Sequence, residues 1–126
     1  MPRHLLLSLL FLLLPALAHA EYKAELTQDQ AQARIEAKQI TVIDVRTPAE
    51  YSAGHVPGAI NIPYDVIGKR LADIPTAKDK PVLLYCHSGR RAAKAEAALT
   101  QAGYSQLYHL KGDMMGWVEN KRPIAK

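Results

Sequence analysis

The chain has one cysteine, Cys86, among 126 residues. A single thiol excludes an internal disulfide framework and a thiolate metal cluster, since both need several sulfurs. Runs of like charge are also missing: 16 Lys and Arg and 12 Asp and Glu are spread along the chain, with a formal net charge of +4. That pattern argues against nucleic acid as a partner and favours small anions. Long apolar runs are scarce. The longest, from Leu5 to Leu14 and at most to Ala18, falls short of the roughly 18 residues that a membrane span needs. There is no internal repeat, no low-complexity stretch and no sign of a second domain.

That apolar run has another reading. Met1-Pro2-Arg3-His4 is a short basic segment ahead of it, Pro15 breaks it, and Ala18-His19-Ala20 has the small-x-small form of a cleavage site. Residues 1–20 are therefore expected to be a secretory signal peptide removed after Ala20, leaving residues 21–126 as the domain. The residue directly after Ala20 is Glu21 and not a cysteine that could carry a lipid, so no stable membrane anchor is expected. The protein would be exported, and periplasmic in a Gram-negative source. In an exported chain, one unpaired cysteine points to a reactive thiol or to pairing between molecules.

The pattern along residues 21–126 alternates strand and helix. A short strand is expected over Glu21–Glu25. Thr27 and Gln30 fit a capping box for a helix running to about Lys38, with Ala31 and Ile35 inward. Thr41–Val45 is β-branched and apolar, a central strand. Thr47-Pro48 is an N-cap followed by proline at the first helical position, opening a short helix to Ser52. Gly54–Gly58 is a loop, and Ala59–Ile62 a brief strand ended by Pro63. Ile67, Leu71 and Ile74 recur at helical spacing, predicting a helix from Asp65 to about Ala72. Val82–Tyr85 is a buried strand, and Arg90–Ala102 a helix with Ala92, Ala95, Leu99 and Ala102 on one face and Gly103 as its stop. Gln106–Leu110 is the last strand, and Met114–Asn120 a closing helical turn around Trp117. The alternation predicts an α/β domain with a mostly parallel sheet.

Cys86 thus lies at the carboxyl end of a strand, on a tight loop just before a helix. Ligands bind at such places in open α/β sheets, and the helix N-terminus favours negative charge there. A thiol in this position has its thiolate stabilised. In Cys86-His87-Ser88-Gly89-Arg90-Arg91, Gly89 lets the backbone bend so that N–H groups converge, and Arg91 adds a fixed charge and a donor fork. Two chemistries use this layout: phosphate-ester cleavage through a phosphocysteine, and sulfur transfer through a cysteine persulfide. Cysteine phosphatases of the tyrosine-phosphatase type place five residues between Cys and Arg. Here that spacing falls on Ala92, and Arg91 stands one residue closer. The smaller loop suits the terminal sulfur of a persulfide.

The chain resembles a single-domain rhodanese across almost all of residues 21–126. Asp44-Val45-Arg46 is similar to the family's first motif. Glu50-Tyr51, Gly54–Ala59 and Asn61-Ile62-Pro63 resemble the second, Cys86–Arg91 the active-site loop, and Leu110-Lys111-Gly112 with Trp117 the closing motif. The family often has a second glycine where this chain has Asp113, away from the cysteine loop in sequence. The resemblance implies a rhodanese-like fold, with about five mostly parallel strands and helices on both faces. It implies that Cys86 takes sulfane sulfur from a small anionic donor such as thiosulfate and passes it to cyanide, a thiol or a protein cysteine. Backbone N–H groups of His87, Ser88, Gly89, Arg90, Arg91 and Ala92 would hold the terminal sulfur. Arg91 would steady the loop or the leaving sulfite, and Arg90 would attract the donor. No metal or organic cofactor is implied. Asp44 and Arg46 are expected to tie loops together or line the pocket, His55 to serve as a structural hydrogen-bonder, and His87 to assist proton movement or simply face water. Rhodanese-like folds also serve as sulfur carriers or binding modules without turnover. A phosphatase or arsenate-reductase-like activity is the third reading.

Overall fold

The computed structural model describes residues 22–126. The signal peptide expected over residues 1–20 lies outside the described residues. No described helix is long and apolar enough to cross a membrane.

Five strands are formed: β1 (Ala24–Leu26), β2 (Thr41–Asp44), β3 (Ile60–Asn61), β4 (Val82–Tyr85) and β5 (Leu107–Leu110). They make one sheet in the order β1-β5-β4-β2-β3, and every pairing is parallel. Four helices accompany them: α1 (Gln28–Glu36), α2 (Pro48–Ala53), α3 (Arg90–Gln101) and α4 (Asp113–Glu119). The α/β architecture is the one that the alternating pattern predicts.

The central strand β4 is flanked by β2 and β5 and has a packed core on each face, so all four of its residues are buried. Its side chains alternate between two cores, as strand geometry requires. Val82 and Leu84, with Cys86 just beyond the strand, pack with Ile43, Val45 and the α3 residues Ala92, Ala95 and Leu99. Leu83 and Tyr85 pack on the other face with Ala31 of α1 and Met114 and Trp117 of α4. Two of the four buried α3 residues, Ala92 and Ala95, are alanines, which lets that helix lie close to the sheet. The cysteine therefore points to the α3 side because two strand residues of the same parity before it do.

Local signals set most of the helix ends. Thr27 and Gln30 form the expected capping box, with the Gln30 N–H donating to Thr27 Oγ1 (3.1 Å) and the Thr27 N–H to Gln30 Oε1 (3.0 Å). Thr47 and Glu50 form a second box around Pro48. After α3, the Gly103 N–H donates to the Thr100 carbonyl (3.0 Å) and the Tyr104 N–H to the Leu99 carbonyl (3.0 Å), a Schellman ending with Gly103 at φ +99°.

Three elements differ from expectation by two residues or more, and the others by at most one residue at an end. The first strand is Ala24–Leu26, not Glu21–Glu25, because its pairing with Tyr108–Leu110 sets its register. α1 stops at Glu36, short of Lys38, since Lys38 itself takes φ +55° and closes a glycine-free Schellman turn. The helix expected from Asp65 to Ala72 is two 3₁₀ turns, Ile67–Lys69 and Leu71–Asp73, parted by Arg70 at φ −125°. Gly68 at the centre of that segment is a poor helix former. The apolar spacing still serves burial: Ile67 and Ile74 are core residues, and Leu71 packs against them.

The two Schellman ends should respond oppositely to substitution. Gly103→Ala is expected to lower stability by about 1 kcal/mol, because its new Cβ meets only Lys78 Cδ at 3.7 Å and the cost is the backbone conformation. Lys38→Gly is expected to raise stability by up to about 1 kcal/mol. Urea unfolding of both variants beside the parent measures the two signs.

Candidate active site

Cys86 leaves the carboxyl end of β4 and is 1% exposed. Its N–H donates to Asp113 Oδ1 (3.1 Å). The Cys86 and His87 carbonyls accept from the Met114 (2.9 Å) and Met115 (3.1 Å) N–H groups, so the first turn of α4 finds its partners in the loop. Across a trans peptide the N–H lies opposite the carbonyl. The peptides after Cys86 and His87 therefore turn their N–H groups away from α4. Gly89, at φ +112°, closes the loop, and its N–H donates to Cys86 Sγ (3.0 Å). α3 begins at the next residue, and Ala92 in its first turn is fully buried, anchoring the far end of the loop. The sulfur sits between a backbone donor and the N-terminal end of a twelve-residue helix, a setting that favours negative charge.

Arg91 grips Glu50 of α2 with both ends of its fork: Nη1 donates to Oε1 (2.6 Å) and Nη2 to Oε2 (3.0 Å). The bidentate contact with Arg91 holds the Glu50 carboxyl down to about 2, against a smaller opposing effect of burial. Sequence reasoning quoted Glu50 only as part of a motif. The Thr47-x-x-Glu50 capping box was the signal for its placement, because the carboxylate that closes the box also meets Arg91. His87, Ser88 and Arg90 are exposed, while Gly89 and Arg91 are half-buried.

Asp44 and Arg46 lie at the end of β2, both buried. Arg46 Nη2 donates to Asp44 Oδ2 (2.7 Å) and to the Gly54 carbonyl (2.7 Å). The Tyr85 hydroxyl donates to Asp44 Oδ2 (2.6 Å) and accepts from the Val56 N–H (3.1 Å). Burial, then the Asp44 carboxylate, push the Tyr85 hydroxyl far above its ordinary range. The cluster ties β2, β4 and the 54–58 loop together behind the cysteine loop. His55 is buried within that loop. Its Nδ1 lies 2.9 Å from the Tyr51 carbonyl and its ring stacks on Tyr51 at 3.7 Å.

Asp113 is distant from Cys86 in sequence but lies against its loop in space. It stands at φ +54°, a conformation natural to glycine, and is 2% exposed. Besides holding the Cys86 N–H, Asp113 Oδ1 lies 2.9 Å from His109 Nε2, and His109 Nδ1 lies 3.1 Å from Glu25 Oε2. Burial lowers the His109 pKa, but hydrogen bonds and charge from Asp113 and Glu25 outweigh it and hold the ring above its ordinary value. No motif marks His109 in the sequence. Its spacing of four from Asp113 was the available signal.

A cavity of about 520 Å³ opens beside the loop. His87 lines it from the loop, Arg46 and Glu50 from the β2–α2 side, and Met114, Met115 and Val118 from α4.

Comparison with known proteins places the chain in a family. The family model for the rhodanese-like domain matches residues 27–120. A sulfurtransferase of Allochromatium vinosum is 35% identical over 99 residues, covering 79% of this chain and 91% of that protein. The thiosulfate sulfurtransferase PspE of Escherichia coli strain K12 is 39% identical over 70 residues, 56% of this chain and 67% of that one. The crystal structure of a rhodanese-related protein from Thermoplasma volcanium superimposes with a TM-score of 0.70 at 26% identity, covering 81% of this chain and 97% of that one. The chain belongs to the family of rhodanese-like domains and is homologous to known sulfurtransferases.

Proposed function

We propose that the protein is a sulfurtransferase that takes sulfane sulfur from thiosulfate or a similar small anion and holds it as a persulfide on Cys86. The observation that carries this reading is the Gly89 N–H donating to Cys86 Sγ at 3.0 Å inside the six-residue loop. That geometry supports a sulfur nucleophile cradled by backbone donors. The thiolate attacks the outer sulfur of thiosulfate. The bond between the two thiosulfate sulfurs breaks, and sulfite leaves with the electron pair. Cyanide, a small thiol or a protein cysteine then attacks the outer sulfur of the persulfide, and the electron pair of the broken S–S bond returns to Cys86. The half-buried helix start and the exposed Arg90 favour an anionic donor, and the cavity beside His87 gives room for the acceptor. The similarity to a thiosulfate sulfurtransferase of Escherichia coli supports thiosulfate as the donor to try first.

Within this reading Arg91 acts as the clamp of the loop. Both ends of its guanidinium are engaged by Glu50, which joins the start of α3 to α2. That engagement also disfavours a phosphatase role, in which the arginine would meet a phosphate. Export of the domain after removal of residues 1–20 belongs to the same proposal and rests on the sequence pattern.

Three outcomes are expected. Intact mass should rise by one sulfur after treatment with thiosulfate, fall back on adding cyanide with release of thiocyanate, and stay constant in Cys86→Ser. Absence of any sulfur gain from thiosulfate and other sulfane donors would overturn the sulfurtransferase reading, whereas a persulfide that moves only to a protein acceptor would mark a carrier. Arg91→Ala and Glu50→Gln should each slow transfer by about tenfold, with a stability loss near 1 kcal/mol because the pair is part-exposed, and the double variant should lose no more than either. If Glu50→Gln leaves transfer unchanged while Arg91→Ala abolishes it, Arg91 works on the donor itself. Expression of the full chain in a Gram-negative host should yield a periplasmic form whose first residue is Glu21; recovery of Met1 as the first residue would remove the export reading.

A further inference from the structure

Behind the cysteine loop, His109 of β5 lies between two carboxylates. Nε2 faces Asp113 Oδ1 at 2.9 Å, and Nδ1 faces Glu25 Oε2 of β1 at 3.1 Å. A neutral imidazole has one donor, while the imidazolium has two. Two acceptors on opposite sides of the ring therefore suit the charged form. The Asp113 end of this chain is buried: the side chains of Asp113 and His109 are 3% and 13% exposed, whereas Glu25 is 55% exposed. The ring of Tyr22 stacks on His109 at 5.1 Å, closing the imidazole off further.

The pair bears directly on the reacting loop. Asp113 Oδ1 also accepts the N–H of Cys86 at 3.1 Å. A Cβ placed on Gly89, the residue whose N–H contacts the sulfur, would lie 3.2 Å from Asp113 Oδ2 and 3.7 Å from His109 Nε2. One carboxylate thus underlies both the first residue of the loop and the glycine that closes it. It does so from a backbone conformation, φ +54°, that costs a non-glycine residue about 1 kcal/mol or more. The side-chain contacts offset that cost.

We propose that Asp113, locked by His109, is the positioning residue of the cysteine loop, and that the charge on His109 sets how much negative charge stands behind the Cys86 sulfur. With the ring protonated, the pair is close to neutral. With the ring neutral, the Asp113 carboxylate stands uncompensated at the Cys86 amide, and anionic chemistry at Cys86 is disfavoured. The titratable groups around the ring are Glu25 from β1, Tyr22 just before it and Asp113 at the start of α4, with Cys86 acting on the stacked Tyr22. Glu96 of α3 adds charge beside Tyr22. The raised pKa of His109 puts the change above the ring's ordinary value of about 6.5.

This inference deepens the sulfurtransferase reading, and its test uses a readout that does not involve sulfur transfer. The alkylation rate of Cys86 by iodoacetamide is followed against pH in the full chain, for the parent, His109→Gln, Asp113→Asn and the double variant. Below the titration of His109 the parent should react at least about threefold faster than His109→Gln, and above it the two rates should converge. In the Asp113→Asn background, the pH above which His109→Gln ceases to matter should fall, because the carboxylate that most raises the ring's pKa is gone. A parent-to-variant ratio that is constant with pH would overturn the inference, as would a midpoint that Asp113→Asn leaves in place. Should a variant fail to fold, the Cys86→Ser protein supplies a second readout. There the residue-86 amide resonance should move with the same midpoint as the His109 ring, and an amide that ignores the ring overturns the proposal. Failure of Cys86 to gain sulfur from any donor would sink the sulfurtransferase reading alone, leaving these profiles to decide the role of Asp113.

Discussion

A buried backbone donor must find an acceptor inside the protein, and for Cys86 that acceptor is the Asp113 carboxylate. The requirement arises where the sheet runs out. β4 pairs with β2 over its whole length and with β5 through Leu84, but β5 ends at Leu110, and the chain there turns away into α4. One residue past Tyr85, the strand still lies in the core and no longer has a backbone neighbour on the β5 side. A carboxylate from the next element supplies the acceptor, and the first N–H groups of α4 take the two carbonyls that follow. The exchange satisfies three loop groups and the helix terminus together. It fixes the peptide planes of the loop before any substrate is present, and preorganised donors of this kind are what a developing anion needs.

The end of β2 is held by a different means. Asp44 and Arg46 form a buried ion pair that carries extra hydrogen bonds from Tyr85 and to the Gly54 carbonyl. Buried pairs of this sort rarely add net stability over a packed apolar core. What this one adds is geometry, because each of its groups is bonded in a definite direction. The 54–58 loop carries several turn formers and little regular structure, and the pair pins it at both Gly54 and, through Tyr85, Val56. That loop leads back from α2, which holds the Glu50 partner of Arg91. The two ends of the cysteine loop are thus referred to different neighbours: α4 at Cys86, and α2 at Arg91.

Much of this was legible in the sequence. The capping residues Thr27 and Thr47, the stop at Gly103 and the apolar runs at Thr41–Val45 and Val82–Tyr85 each act over a few residues, so the local chain states them. The place of Cys86 at the end of a strand and before a helix was legible for the same reason, as were the α/β class and the resemblance in the cysteine loop. Where a local signal is missing, sequence pattern and structure part. Lys38 ends α1 without glycine, and the Ile67–Ile74 spacing served two 3₁₀ turns as well as it would have served a helix.

Tertiary structure alone decided what meets across the sheet. The order β1-β5-β4-β2-β3 sets the first strand beside the last, and that adjacency brings Glu25 to His109. Asp113 reads as a departure in a turn 27 residues from the cysteine, yet it holds the Cys86 amide. Glu50 meets Arg91 across 41 residues. Sequence determined these residues' chemistry, their local conformation and the parity that points Cys86 toward α3. Which carboxylate faces which donor depends on how the crossovers pack the helices against the sheet, a non-local property that no short stretch of the chain encodes.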